Sequence, residues 1–222
     1  MLVAMSRVII ALVLVLCCAL TASAVNFQRT IVAISKYTDW GQNIFLRGGH
    51  GDESIRIRHE VKTQYPQGFF DQTSEGDLYL GWGGAEETQG RYNRNTVAQG
   101  TPMMHTTNDH SFDHTNSSLL GLVGESLWLA DLYMDCDQTD NGWFDFKGYM
   151  VDLRPGFNSE GWEHYIGETT CNVDGDDVDV PNTGNHHAKC GYFNLGIWNN
   201  GQCWAKKLDY QTMLFRSAWS ES

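Results

Sequence analysis

Seven short stretches of this chain, RTIVAISKY, QNIFLRG, SIRIRHEV, DLYLGW, SLWLADLYMDC, GWFDFKGYMVDL and YFNLGIW, alternate apolar with polar residues or run apolar for a few positions. They are rich in aromatic and β-branched residues and are separated by Gly, Asn and Asp. A strand repeats its face every second residue, whereas a helix needs a 3.6-residue period sustained over three turns. Twenty-three glycines break up any long run of helix formers. The pattern predicts an all-β chain, a single β-sandwich or jelly-roll-like domain with long loops. No Pro- or Ser-rich linker, low-complexity tract or internal repeat divides it, so residues 25–222 read as one domain.

Residues 1–24 carry Arg7, then the apolar run VIIALVLVLCCAL, then Ala22-Ser23-Ala24. This is the form of a signal peptide with a small-x-small cleavage site, and it predicts a secreted, extracellular protein. No later apolar run is long enough for a spanning helix, so no membrane partner is expected. Cleavage removes Cys17 and Cys18 and leaves Cys136, Cys171, Cys190 and Cys203, an even set in an oxidising compartment, which predicts two disulfides. Four cysteines allow three connectivities. Asn116-Ser117-Ser118 is a glycosylation sequon in a polar, loop-like stretch.

Lys and Arg number 15 against 27 Asp and Glu, a formal charge of −12. The leader removes one arginine and no acid. Such a field repels a phosphate backbone, so nucleic acid is not an expected partner, while a neutral ligand or a hard cation is compatible with it.

Period-two counting through SLWLADLYMDCDQTDNGWFDFKGYMVDL puts Trp128, Ala130, Leu132, Met134 and Cys136 on one face of a strand, and Phe144, Phe146 and Met150 on one face of the next, with DQTDNG as a hairpin-type turn. Both faces should meet the core. The opposite face of the second strand carries Trp143, Asp145, Lys147, Tyr149 and Val151. Flat rings beside hydrogen-bonding groups suit a sugar, whose C–H patch stacks while its hydroxyls seek polar partners. Ordinary aromatic packing under a loop explains any single ring equally well.

A series of short motifs then falls in order along the chain: GQNIFLRGG at 41–49, Ile57-Arg58-His59, LGWGGAE at 80–86, Gln99-Gly100-Thr101 with Thr106-Thr107-Asn108, Met134-Asp135-Cys136 followed by Asn141-Gly142-Trp143-Phe144, Gly161-Trp162-Glu163, and NHHAKCG at 185–191. In this series the chain resembles the non-catalytic C-terminal domain of secreted marine bacterial and molluscan α-amylases, over nearly its whole mature length. The resemblance implies a β-rich accessory domain that binds carbohydrate. It also implies that Cys136 pairs with Cys190, leaving Cys171 for Cys203. A bridge closing a loop of that size contributes about 4 kcal/mol in the chain-entropy picture. The (β/α)₈ catalytic barrel needs roughly 250 residues and has no counterpart in these 222, so the module is expected to stand alone,.

The segment VDGDDVDVP falls outside that pattern. Asp174, Asp176, Asp177 and Asp179 supply the oxygen ligands calcium prefers, but they lack the EF-hand plan, and a solvated acidic loop explains them as well. The turn bearing Asp135, Asp137, Asp140 and Asn141 is a second calcium candidate with the same weakness. His186 and His187 are adjacent, so on an extended segment they point to opposite sides and do not chelate one ion. His59 shares a strand face with Ile55 and Ile57 and reads as a hydrogen-bonded core histidine, with Arg56, Arg58 and Glu60 outward. His105, His110 and His114 form no closed ligand set.

No GxSxG, HExxH, P-loop or GxGxxG sequence occurs, and the acid pairs Glu86/Glu87 and Glu160/Glu163 arise freely in so acidic a chain. No enzyme activity is expected. Of the eight tryptophans, Trp40, Trp82, Trp143, Trp162 and Trp198 sit in or beside the ordered motifs. The candidate carbohydrate site is Trp82, Glu86, Trp143, Tyr149, Trp162 and Glu163. The resulting expectation is a secreted, non-catalytic module that binds a polysaccharide or glycoprotein glycan, an α-glucan first. It requires no cofactor, and Ca²⁺ is the one candidate ion. The rival reading is an acidic calcium-binding extracellular matrix or mineral-associated protein.

Overall fold

The structure is a computed structural model that describes residues 26–50, 56–61, 78–82, 100–106, 127–152, 154 and 161–208. The leader 1–24, the Asn116 sequon, Glu86, Glu87, Glu160, His110 and His114 lie outside the described residues. Among the described residues there is no α-helix. The strands are β1 (Phe27–Ser35), β2 (Gln42–Gly49), β3 (Ile57–Val61), β4 (Tyr79–Leu80), β5 (Thr101–Pro102), β6 (Met104–Thr106), β7 (Leu127–Asp135), β8 (Trp143–Asp152), β9 (Gly161–Trp162), β10 (Thr170–Val173), β11 (Asp176–Asp179), β12 (His186–Lys189), β13 (Tyr192–Ile197) and β14 (Asn200–Lys207).

They form two sheets. The larger has nine strands in the order β11-β10-β14-β13-β1-β7-β3-β4, with β6 also on β7. It is mixed, because β1 runs parallel to β13 and β10 parallel to β14. The smaller has five strands in the order β12-β8-β2-β5, with β9 also on β8. Since β2 occupies one edge of β8 from Asp145 to Asp152, β12 and β9 share the other edge, one after the other.

The two sheets share one core, consistent with the expected β-sandwich. The nine-stranded sheet contributes Val32, Ile34, Ile57, Trp128, Ala130, Leu132 and Met134, and the five-stranded sheet contributes Ile44, Leu46, Phe144, Phe146, Met150 and Ala188. On β7 the even positions face this core. Trp128, Ala130, Leu132 and Met134 are buried, while Asp131 points out to a two-pronged hydrogen bond with Arg29 at 2.8 and 2.9 Å.

The expected hairpin between β7 and β8 is instead a corner, because the two strands belong to different sheets. Asp135 caps a 3-10 turn over Cys136–Gln138 by accepting the Asp137 N–H at 3.2 Å. Asn141 (φ 52°) and Gly142 (φ 87°) then take the left-handed conformations that reverse the chain, a geometry Asn and Gly tolerate best. The acids of this turn are spent on it. Asp137 accepts the Asn26 N–H and Asp140 the Asn141 side-chain amide.

The disulfides are Cys136–Cys190 and Cys171–Cys203, as the resemblance implied. The first ties the corner to the end of β12, and the second joins the neighbouring parallel strands β10 and β14. His59 is fully buried, 3.1 Å from the Thr101 hydroxyl, and burial pushes it down to about 3. It is the core histidine its strand face predicts.

Gly148 in β8 faces Trp198 across the core. A Cβ there would lie 2.5 Å from Trp198 Cζ3 and 3.1 Å from Ile34 Cδ1. Gly148→Ala should therefore lower stability by about 1–3 kcal/mol, the usual cost of overpacking. Urea unfolding checks this, and an unchanged midpoint would show that the two sheets do not meet at this point.

Candidate functional site

Odd-numbered residues of β2 and β8 project from the outer side of the five-stranded sheet. Phe45 and Val151 are buried there and pack with Tyr149 as an apolar floor. β9 places Trp162 directly opposite Tyr149, with ring centroids 5.2 Å apart and planes at 78°, edge to face. Trp82 lies 6.3 Å from Trp162. The guanidinium of Arg47 sits 4.4 Å from the Tyr149 ring centre and 4.7 Å from that of Trp162, and its NH1 donates to the Trp82 carbonyl at 3.5 Å. Cation–π contacts of a largely desolvated arginine contribute about 1–2 kcal/mol each. Trp162 keeps 38% of its surface exposed. The arrangement is a ring face with one open indole, braced from below by a cation.

Three expected sugar-contacting residues, Trp82, Tyr149 and Trp162, therefore come together. Trp143 does not join them. It stands at the far end of β8, about 20 Å from Tyr149 at roughly 3.3 Å per residue, packed against the cluster of Cys171, Val173, Cys203 and Ala205 under the Lys189 ammonium at 5.3 Å. Glu163, expected beside the rings as a hydroxyl acceptor, points the other way. It follows Trp162 in an extended segment, so its side chain takes the opposite side and is buried,.

From there a chain of buried charges runs around the β12 edge, from Glu163 and His186 on the inner side to His187 and Asp145 on the outer. Glu163 Oε2 accepts the Gly148 N–H at 2.5 Å, and its Oε1 accepts the Asn199 N–H at 3.1 Å. The same Oε1 lies 3.1 Å from His186 Nε2, and His186 Nδ1 is 3.0 Å from Glu168 Oε1. Glu168 Oε2 accepts the His187 backbone N–H at 2.7 Å and the His187 Nδ1–H at 3.0 Å. His187 Nε2 ends the chain 3.4 Å from Asp145 Oδ1, too poorly aligned for a hydrogen bond, and Asp145 Oδ2 accepts from Asn185 at 3.1 Å. The order is Glu163, His186, Glu168, His187, Asp145. His186 stacks on Phe146 at 5.0 Å, and Gly196, which has no side chain, leaves room for its ring.

An ionised carboxylate only accepts, so a ring nitrogen facing one must carry the proton. His186 faces a carboxylate at each nitrogen, and the geometry makes it an imidazolium. Burial alone would lower its pKa, but the bonds to Glu163 and Glu168 outweigh this and raise it to about 9. Burial likewise works to raise Glu168, yet the bonds from His186 and His187 prevail and hold it below the ordinary carboxylate value.

The remaining candidates are dispersed. Asp174 accepts the Lys207 N–H at 2.9 Å and lies 3.6 Å from Lys206 Nζ. Asp177 accepts from Asn172 at 3.0 Å. Asp176 and Asp177 are consecutive on β11 and so face opposite sides,. The four aspartates line an edge hairpin rather than converge, and among the described residues no group of three or more His, Cys, Asp or Glu is disposed to hold a metal ion. Sequence reasoning missed Arg47, Glu168 and the burial of Asp145. The adjacent histidines were the one signal for the buried chain: they do point apart, yet each reaches a different oxygen of Glu168.

No protein-family model, curated protein or solved structure matches the chain.

Because the folded state raises His186, its contribution is complete below about 6.5, the ordinary histidine value, and is lost as pH rises through about 9,. Because it lowers Glu168, that contribution is present above 4.5 and is lost as pH falls,. His59, held at about 3, acts the other way, its penalty growing as pH falls below 6.5, so the melting temperature should peak near 6.5 and decline on both sides,. At the peak, Glu168→Gln should cost about 3–5 kcal/mol, the effect of stranding one partner of a buried ion pair. A flat profile from pH 5 to 9, or a silent Glu168→Gln in urea unfolding, would contradict the charge assignment.

Proposed function

We propose that the protein is a secreted, non-catalytic carbohydrate-binding module whose ring face, Trp82, Tyr149 and Trp162 around Arg47, takes an α-glucan. The observation that carries this reading is the open indole of Trp162, half-exposed and held edge-on by Tyr149. A positioned, partly open indole offers a flat apolar plate, and the C–H face of a pyranose is a cover of matching shape. Arg47 fixes the ring planes before ligand arrives, which reduces the ordering cost of binding. Among the described residues the acids nearest the ring face, Glu163 and Glu168, are sealed inside with the contacts named above internal. A buried, fully partnered carboxylate does not reach a glycosidic bond, which favours binding over hydrolysis. The two disulfides fit an oxidising, extracellular setting,, and among the described residues no helix is long and apolar enough to cross a membrane. The choice of α-glucan rests on the ordered motifs shared with amylase accessory domains.

Native gels containing glycogen, soluble starch or a control polysaccharide test the reading, each run with calcium and with chelator. Retardation by glycogen and starch is expected. Trp162→Ala should weaken it by at least about tenfold, equivalent to roughly 1.4 kcal/mol, while Trp143→Ala should leave it unchanged. Mobility indifferent to every glycan would reject the module. Mobility indifferent to glycan but altered by calcium would favour the acidic matrix protein.

A further inference from the structure

Trp162 and Glu163 are consecutive, and the chain between them is the boundary between the open ring face and the buried charges. β9 has only two residues and two register pairs with β8, Tyr149 with Trp162 and Met150 with Gly161. Arg47, Tyr149 and Trp82 touch the Trp162 ring from the outer face, and what holds the backbone of the strand from the inner side is Glu163. The Glu163 N–H donates to the Gly148 carbonyl at 3.2 Å, while its carboxylate gathers the Gly148 N–H from β8, the Asn199 N–H from the turn between β13 and β14, and His186 from β12. Asn199 closes the clasp by accepting the His164 N–H at 2.7 Å. A strand this short is marginal by itself, so the position of Trp162 depends on the internal carboxylate next to it.

The two acceptors of His186 are not held alike. Glu168 has two further donors on β12 itself, the backbone N–H and Nδ1–H of His187. It therefore moves with the histidine. Glu163 reaches β12 through His186 alone. When His186 loses the proton on Nε2, that nitrogen turns a lone pair toward Glu163 Oε1 in a water-poor interior, where like-signed contacts are costly,.

We propose that this buried chain is a protonation latch on the ring face: charged His186 holds Glu163, and through it Trp162, in the binding position, and loss of that charge releases β9 and switches binding off. Glu163 is thus a positioning residue, and the switching role rests on the glycan reading above, whereas the latch itself does not. The charged and titratable groups around His186 are Asp145 and Lys147 from β8, Glu163 and Glu168 from the 163–168 segment, and His187 beside it on β12. β13 and the turn after it bring only uncharged groups, Gly196 and the Asn199 amide. Lys147 is lowered by its partial burial and raised in turn by the charge of Glu163.

The experiment is fluorine NMR of the whole mature protein labelled with 5-fluorotryptophan, with Trp162 assigned by Trp162→Phe. As pH rises through about 9, from roughly one unit below to roughly one unit above it,, the Trp162 resonance should move while those of Trp128 and Trp198, buried in the shared core, stay in place. Starch retardation should fall roughly tenfold over the same interval as the competent fraction drops. In His186→Gln the Trp162 resonance should stay near its alkaline position at every pH. Should that variant fail to fold, Glu163→Gln replaces it, and its Trp162 resonance should no longer titrate. A Trp162 signal that is still in the wild type, that moves only together with Trp128 and Trp198, or that still titrates in the folded variant would overturn the latch. Movement of Trp162 with no starch retardation at any pH would support the latch and reject the glycan reading.

Discussion

A cation with no water around it must be neutralised by groups the fold itself brings, and in this protein that cation is His186. An isolated buried charge costs many kcal/mol, and even a paired one is tolerable only when its partners are well placed and themselves hydrogen-bonded. Glu163 and Glu168 meet that condition with the Gly148, Asn199 and His187 N–H groups as further donors. The groups come from β8, β12, the 163–168 segment and the turn between β13 and β14, so both sheets must be in register before the charge is satisfied. The arrangement adds little net stability over an apolar core, but it penalises every misassembly that leaves one of its members alone.

The ring face is the outward consequence of the same assembly. Strand alternation sends Trp162 out and Glu163 in, so the ring proposed to bind and the carboxylate proposed to anchor it are one residue apart. Arg47 performs the corresponding task from β2, bracing Tyr149 and Trp162 from within the face. One open ring fixed by a cation on one side and a buried anion behind it is a preorganised contact, which is how a single weak stacking site gains selectivity without much area.

Much of the fold was legible because β faces repeat every second residue. The inward set of β7 and that of Phe144, Phe146 and Met150 could be counted directly. The parallel pairing of β1 with β13 could not, since it joins segments some 160 residues apart with no local signature,. The β7–β8 corner resembled a hairpin because Asp, Asn and Gly serve both purposes, and only the capping role of Asp135 separates them. At the site, the rings were legible by composition. Glu163 was not, because a two-residue strand offers no parity to count. Glu168 sits among Gly167, Thr169 and Thr170, with no apolar neighbour to mark it as buried. Its burial is dictated by two histidines almost twenty residues away.

The state of His186 can be observed directly. In protein labelled with ¹⁵N-histidine, held at about pH 7, where an ordinary histidine is mostly neutral, the account predicts that both His186 ring nitrogens carry protons and show the shifts of an imidazolium. A spectrum with one bare, pyridine-type nitrogen at His186 in the folded protein would contradict it, because one of the two buried carboxylates would then face a lone pair instead of a donor.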